Sequence, residues 1–195
     1  MANKGMITTS EHLEYSEYER LVNSLHEDRE YIWEMYARLS LCTACRASDV
    51  LSRKWSDILN RDQIMVTEKK TGKPRNIIFN PSVKKKLNEM YILLGRPPID
   101  SFVFGTSKSV EGFSVQYVNR KLKEFKLKYN LDIGNFSTHT FRKTFGRYVY
   151  ESNNKSAESI ILLNKILNHT SIAATKAYIG LTQEEINGVY NSIRF

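Results

Sequence analysis

Six side chains suited to phosphate chemistry are spread along the sequence. A guanidinium can bind two oxygens of a phosphate, and an imidazole exchanges protons near neutral pH. An ammonium can donate a proton to a leaving oxygen, and a tyrosine hydroxyl can attack phosphorus to form a covalent phosphotyrosine. Each of these residue types is common, and most of the 11 tyrosines are expected to be structural. The residues that could act together are Arg46, Lys70, His139, Arg142, His169 and Tyr178.

The sequence around these side chains places several of them at the ends of predicted elements. His139 and Arg142 are three residues apart and would share one face of a helix. Arg46 precedes a short predicted helix, and Lys70 ends a hairpin strand beside a glycine turn. His169 follows the end of another predicted helix. We therefore expect these groups to approach one phosphate from several sides.

The hydrophobic pattern predicts a mainly α fold with a small antiparallel β-hairpin, an α+β class. Residues 16–19 have the sequence of a capping box, residues 71–74 that of a turn, and Pro81 begins a helix. Strands are expected over 63–68 and 75–79, with a short extended segment over 101–104. Further helices are expected over 16–26, 28–45, 47–53, 114–129, 137–152, 156–168, 171–178 and 182–193.

The net charge of +8 on 195 residues is unevenly distributed. Residues 53–86 hold ten bases and three acids, and residues 117–147 hold eight bases and two acids. Residues 1–36 hold eight acids and three bases. A basic globular chain of this kind indicates a polyanionic partner, usually nucleic acid.

Other classes of protein are disfavoured by the composition. The sequence has no apolar run of about 18 residues and no secretory signal, so neither a membrane protein nor a secreted one is expected. Two cysteines cannot build a disulfide framework, which favours the cytoplasm. Cys42 and Cys45 lack two further ligands for zinc and are expected to be small core residues. His12 and His26 are expected to be surface residues of the acidic segment.

Four short motifs carry a family resemblance over about residues 8–190. Residues 43–50 read T-A-C-R-A-S-D-V and are followed by W-S-D-I, and residues 70–73 read K-T-G-K. Residues 139–142 read H-T-F-R, and L-N-H at 167–169 precedes Tyr178 by nine residues. In these motifs the sequence resembles the catalytic domain of tyrosine recombinases, the phage integrase family. It departs from the usual motifs at Ala44, Cys45, Lys143 and Asn168, and none of these changes removes a catalytic group.

The resemblance implies the tyrosine recombinase catalytic-domain fold and a site-specific recombinase acting on double-stranded DNA. In that activity Tyr178 attacks a phosphate and forms a 3′-phosphotyrosine. Arg46, Arg142 and His169 bind the phosphate. His139 accepts or relays the proton of the tyrosine.

Lys70 is the implied acid for the departing 5′ oxygen, and Lys69 is its rival because a one-residue shift of the hairpin would exchange their faces. Further contacts to DNA are expected from Lys69, Lys73, Arg75 and Lys143. No metal and no cofactor is expected. Whether the outcome is integration, excision or inversion stays open.

The predicted organisation is a loose lead-in over 1–15 and a catalytic domain over 16–195 that includes a tail helix at 182–193. The N-terminal core-binding domain of many family members is not expected. The resemblance implies a homotetramer on DNA, with a monomer in its absence, in the cytoplasm on the nucleoid. Two alternatives are a catalytically silent DNA-binding regulator of the same fold and a type IB topoisomerase-like activity.

Overall fold

The computed structural model describes residues 10–105 and 111–194, with the backbone alone for residues 182–186 and 189. Within these ranges the chain forms ten helices and one two-stranded antiparallel sheet, which confirms the predicted fold class. In chain order the elements are α1 (Tyr15–Glu27), α2 (Tyr31–Thr43), α3 (Ala47–Leu51), α4 (Trp55–Ile58), β1 (Gln63–Thr67), β2 (Pro74–Ile78), α5 (Pro81–Leu93), α6 (Val115–Lys128), α7 (Thr140–Ser152), α8 (Ala157–Ile166), α9 (Ile172–Tyr178) and α10 (Leu181–Ser192).

Polar N-cap residues determine where several helices begin. Asn80 caps α5, whose proline lies in the first turn as predicted, and its side chain accepts a hydrogen bond from the backbone N–H of Val83. The same arrangement occurs at the serines that precede α6, α8 and α9, namely Ser114, Ser156 and Ser171. Each cap satisfies a backbone N–H that the helix itself leaves unpaired. The cap of α9 matters for the site, because Tyr178 is the last residue of that helix.

The N-terminal region differs from its predicted organisation. Helix α1 begins at Tyr15 after Glu14, so Ser16 lies inside the helix and the predicted capping box is wrong. Residues 1–9 of the predicted lead-in lie outside the described residues, whereas residues 10–14 are packed rather than loose. The side chain of Leu13 is buried, and its backbone N–H donates to Oγ1 of Thr144 at 2.9 Å. A contact across 131 positions cannot be inferred from local pattern.

Helix α2 begins three residues later than predicted. Arg29 has a φ of +59°, a left-handed conformation that ends the helical path of α1. The backbone N–H groups of Arg29 and Glu30 donate to the carbonyls of His26 and Leu25 and close the end of the helix. The connection is therefore a tight turn rather than a continuation of the helix.

The hairpin turn is longer than predicted and contains both lysines under consideration. β1 and β2 pair with Gln63 opposite Ile78 and Thr67 opposite Pro74. The carbonyl of Glu68 accepts hydrogen bonds from the backbone N–H groups of Thr71 and Gly72, and Gly72 has a φ of +67°. Lys69 and Lys70 therefore lie in the turn, not in a strand.

Two hydrophobic clusters lie on either side of α7. The larger cluster contains Tyr36, Trp55, Phe104 and Phe141, all almost fully buried. The smaller cluster lies under α8, α9 and α10 and includes Ile160, Leu163, Ile179 and Leu181. Helix α7 contacts both α2 and α8. The helix that carries Arg142 therefore joins the part of the chain with Arg46 to the part with His169 and Tyr178.

The tail helix α10 contacts α9 of its own chain, and its first residue, Leu181, is buried in the smaller cluster. Tyr190 and Ile193 of its predicted apolar face are exposed, at 71% and 55%, while the side chains of Ile186 and Val189 lie outside the described ones. None of the helices described has the length and apolar character needed to cross a membrane.

Two expectations about isolated motifs can be compared with the structure. Cys45 is buried in the larger cluster, Cys42 packs against it, and both are free thiols, in agreement with a core role. His26 differs from the expectation of a simple surface residue. Its Nδ1 lies 2.8 Å from Oε2 of Glu34, a carboxylate with no exposed surface.

Candidate active site

Arg46 is held at the start of α3 by a buried carboxylate. It is the N-cap residue of that helix, as the sequence predicted, with an extended backbone at φ −69° and ψ 152°. Its Nη1 forms an ion pair with Oε2 of Glu68 at 2.6 Å, and 17% of its side chain remains exposed. The guanidinium is thus fixed on one side and accessible on the other.

Arg142 is buried and bound to the ends of two helices. Its Nη1 donates to the carbonyl of Ala44 at 2.5 Å, and its Nη2 donates to the carbonyl of Leu167 at 2.6 Å. Ala44 has a φ of +47° and Asn168 a φ of +50°, so the chain takes the left-handed conformation at the ends of both helices, α2 and α8. Asparagine tolerates the left-handed conformation better than most residues, which suits position 168. These turns direct two carbonyls at one guanidinium.

Tyr178 lies beside the buried arginine. The carbon of the Arg142 guanidinium is 6.0 Å from the centre of the Tyr178 ring, and Nζ of Lys143 is 5.2 Å from it. Burial raises the pKa of Tyr178, and the positive charges of Arg142 and Arg46 offset part of that increase. Among the described residues, the buried hydroxyl approaches Arg142 but has no hydrogen bond of regular geometry. It is a polar group without a fixed partner in a cationic site.

His169 follows α8 and packs its ring against that of Tyr178, with 5.0 Å between ring centres. Its Nδ1 lies 3.1 Å from Oγ1 of Thr175, which also accepts a hydrogen bond from Asn164. Burial, followed by the charges of Arg142 and Arg46, lowers the pKa of His169 to about 4. The imidazole is therefore neutral at pH 7 and oriented by Thr175.

His139 lies on the exposed side of the site. It is the N-cap residue of α7 rather than part of the helix, and it retains a helical backbone at φ −82° and ψ −17°. Loss of hydration lowers the pKa of His139, and the charges of Arg142, Lys143, Arg46 and Lys70 lower it further. A neutral imidazole at pH 7 is able to accept a proton.

The two turn lysines differ in their surroundings. The charge of Lys70 contributes to the lowered pKa of His139. The backbone N–H of Lys69 donates to Oδ1 of the buried Asp49 at 2.9 Å. The side chain of Lys69 lines a separate surface groove with Phe102 and Gln116. The choice of Lys70 over Lys69 as the acid stays a prediction.

Arg75 is placed differently from the expectation that it contacts DNA. Only 8% of its side chain is exposed, and its guanidinium donates to the carbonyls of Thr43 and Ala44 at 3.0 and 3.2 Å. It therefore supports the turn that precedes Arg46, because its donors are directed to the protein interior. Lys73, by contrast, is exposed on the hairpin.

Glu68 and Thr175 are site residues that sequence reasoning missed. Each bonds to a predicted site residue, Glu68 to Arg46 and Thr175 to His169. Glu68 is one of only three acids in the basic segment 53–86, and this isolation among bases is the sequence feature that could have identified it. No three metal-ligating side chains converge within the part of the chain that the structure describes.

Comparison with known proteins identifies the family. A profile of the phage integrase family matches residues 11–185. The chain belongs to the phage integrase family. This phage integrase family member is 29% identical over 177 residues to the probable integrase/recombinase YoeC of Bacillus subtilis (strain 168), and the alignment covers 88% of this chain and 93% of YoeC.

Solved structures of recombinases share the fold of this family member. XerA recombinase matches with a TM-score of 0.69 and 22% identity over 100% of this chain and 68% of that one. XerH recombinase in a post-cleavage complex with a palindromic difH substrate matches with a TM-score of 0.68 and 16% identity. That match covers 98% of this chain but 56% of XerH, so the chain spans little more than half of XerH. The catalytic domain of bacteriophage HP1 integrase matches with a TM-score of 0.57 and 16% identity, over 94% of this chain and 95% of that one.

These matches confirm the predicted family and the predicted catalytic-domain fold. They also confirm the prediction of an enzyme of the integrase and recombinase class. The roles of individual residues stay predictions.

Proposed function

We propose that this phage integrase family member cleaves and rejoins duplex DNA at specific sites through a covalent 3′-phosphotyrosine at Tyr178. The observation that carries the proposal is the placement of the Tyr178 hydroxyl beside Arg142 and close to His169, in a site that also holds Arg46. A tyrosine in this position lies beside the cationic and hydrogen-bonding groups that a phosphoryl transfer requires.

The reaction begins when the Tyr178 oxygen attacks the scissile phosphorus. The bond from phosphorus to the 5′ oxygen breaks, and the products are a 3′-phosphotyrosine and a free 5′-hydroxyl. His139 takes the proton from Tyr178, and Lys70 gives a proton to the departing oxygen. Attack by the 5′-hydroxyl of a partner strand reverses the step, and the phosphodiester energy is conserved in the covalent intermediate.

Positive charge in the site stabilises the transition state. Arg46 and Arg142 offer donors from two sides, and His169 adds a hydrogen bond to a phosphate oxygen. Two carbonyls already hold the guanidinium of Arg142 in one orientation, so the side chain loses little conformational entropy when the phosphate binds. No metal ion is assigned to any step.

Double-stranded DNA is the proposed partner, and a homotetramer on DNA is the proposed active assembly, with a monomer in its absence. Among the structural relatives, XerH is bound to a difH substrate and lambda integrase is bound to DNA. The exposed lysines Lys69 and Lys73 and the half-buried Lys143 are the proposed backbone contacts, while Arg75 acts from the interior. The proposed location is the cytoplasm, on the nucleoid.

Trapping of the covalent adduct tests this function even though the DNA site is unidentified. A pool of duplexes with randomised sequence on both sides of one nick is incubated with the protein. Cleavage near the nick releases a short strand, which diffuses away and leaves the protein joined to DNA. We expect an adduct that resists denaturation, with the DNA attached at Tyr178 by mass spectrometry, and none with Tyr178→Phe.

Tyr148→Phe is the matched control, because Tyr148 is an exposed tyrosine stacked on Tyr15 and outside the site. It should form the adduct as the unmodified chain does. An adduct that persists in Tyr178→Phe would refute the assigned nucleophile. Sequence-selective binding without any adduct would favour the silent regulator. Relaxation of plasmids without strand exchange between two sites would favour the topoisomerase-like activity.

A further inference from the structure

Glu68 is a buried carboxylate surrounded by arginines. None of its side chain is exposed. Its Oε2 lies 2.6 Å from Nη1 of Arg46, and its Oε1 lies 3.6 Å from Nη1 of Arg75 and 3.9 Å from Nη1 of Arg142. Three guanidiniums that would repel one another thus share a single negative charge.

The carboxylate is ionised at neutral pH. Burial by itself would raise the pKa of Glu68, but hydrogen bonds from Thr71 and Arg46, and the charges of Arg46 and Arg142, hold it below its ordinary value. A buried charge of this kind persists only where it is paired and hydrogen-bonded. Glu68 therefore has a fixed orientation, and its partners are fixed with it.

The same residue organises the turn that carries Lys70. Oγ1 of Thr71 donates to Oε2 of Glu68 at 2.7 Å. The backbone N–H groups of Thr71 and Gly72 donate to the carbonyl of Glu68. One carboxylate oxygen thus contacts both the guanidinium of Arg46 and the residue that follows Lys70.

We propose that Glu68 is a positioning residue for strand cleavage, which holds Arg46 in place for the scissile phosphate and ties the Lys70 turn to it. The proposal rests on the function proposed above. When a catalytic group is displaced by about 1 Å, the reaction rate can fall by about a hundredfold. A residue with this role affects the cleavage step and leaves DNA binding intact, because its own charge opposes the phosphate.

The test compares Glu68→Gln with the unmodified chain on a cleavable sequence recovered from the adduct experiment. We expect the rate constant of adduct formation under single-turnover conditions to fall roughly tenfold or more. The dissociation constant for the same DNA should be equal or lower, because a negative charge near the phosphate is removed. Loss of rate and affinity in proportion, or a rate within twofold of the unmodified chain, would overturn the proposal.

Glu34→Gln is the matched control for the loss of a buried carboxylate. Glu34 is also fully buried and pairs with Arg38 at 2.7 Å and His26 at 2.8 Å, away from the site residues. It should lower thermal stability while the cleavage rate constant of the folded protein stays unchanged. An equal loss of rate in both variants would assign the effect of Glu68 to general damage.

A double-mutant cycle identifies the partner through which Glu68 acts. Glu68→Gln is combined with Arg46→Lys, which keeps the positive charge but loses the fork of donors. If Glu68 acts through Arg46, the Glu68→Gln substitution lowers the cleavage rate less than threefold in a protein that already carries Arg46→Lys. Full multiplication of the two effects would contradict the assignment.

Thr71 provides a second route if Glu68→Gln does not fold. Thr71 is exposed, and Thr71→Val removes the hydroxyl that donates to Glu68 and nearly preserves its shape. We expect a severalfold lower cleavage rate, restored by Thr71→Ser. Equal rates in all three proteins would overturn the link to the Lys70 turn. An unmodified chain that forms no adduct at Tyr178 would refute the proposed function itself, which is a separate result.

Discussion

At the residue scale, the site consists of cationic groups that the protein holds close together although they repel one another. Arg142 is held by two backbone carbonyls and Arg46 by Glu68. His169 is held neutral by burial and by the same arginines. The buried Tyr178 hydroxyl has a raised pKa and faces these charges. The free site is thus prepared for an anion.

The ionisation of His169 provides a prediction at this scale. We expect its imidazole to titrate near pH 4 in the free protein and at a higher pH when DNA is bound, because a phosphate stabilises the imidazolium. NMR titration of the ring proton measures both midpoints, and His169→Gln assigns the signal. A midpoint near 6.5 in the free protein, or no increase with DNA, would contradict the expectation.

The lowered pKa of His169 also determines the direction in which the free energy of unfolding changes with pH. The pKa of His169 is lower in the folded chain than the ordinary value of 6.5. The unfolded chain therefore binds more protons between about pH 6.5 and pH 4, and the free energy of unfolding falls as the pH is lowered through that window. His139, whose pKa is also lowered, acts in the same direction.

At the element scale, left-handed residues at helix ends decide where the site groups lie. Ala44 and Asn168 turn the chain at the two points where the carbonyls of Ala44 and Leu167 accept hydrogen bonds from Arg142. Arg29 has the same left-handed conformation between α1 and α2, away from the predicted catalytic residues. A side chain with a Cβ costs free energy in this conformation, whereas glycine adopts it readily.

Arg29→Gly tests the cost of such a turn without touching the site. Arg29 is exposed and has a φ of +59°. We expect the free energy of unfolding to rise by about 1 kcal/mol, and the melting temperature by roughly 2–4 °C. Arg29→Ala is the control, since it removes the same charge and keeps the strained Cβ. Equal stability of the two variants would show that the charge, not the backbone, determines the result.

At the scale of the whole molecule, part of the basic excess is neutralised within the fold. Lys128 of α6 pairs with Asp28 at 2.7 Å and lies 3.9 Å from Glu30, so the acidic N-terminal helices cover some charge of the segment 117–147. Lys84 and Lys86 pair with Asp62 and Glu89. The lysines of the hairpin turn are exposed, and they are the proposed contacts to phosphate.

Salt dependence of DNA binding tests this distribution of charge. We expect affinity to fall steeply with salt, and Lys73→Gln to reduce the slope of log affinity against log salt concentration by about 1, as the loss of one phosphate contact does. Lys128→Gln is the matched control, because it removes the same charge from the acidic side. Fluorescence anisotropy over a salt series measures both. A slope that changes equally in the two variants would mean that overall charge matters and the position of Lys73 does not.

The sequence by itself determined the chemistry and the class of fold. The residue types of the four motifs, the caps at Asn80 and Ser171 and the hydrophobic periodicity are local, so the family, the helices and the hairpin could be predicted from them. Local signals gave the wrong start for two helices, at Ser16 in α1 and at the beginning of α2.

Only the tertiary structure decided which side chains support one another. The inward direction of Arg75 and the ion pair between Glu68 and Arg46 come from contacts between segments that are distant along the chain. Arg142 reaches a carbonyl 98 positions away, and Arg75 reaches one 32 positions away. Such contacts depend on how helices pack and where their carbonyls end, and no short pattern of residue types contains that information.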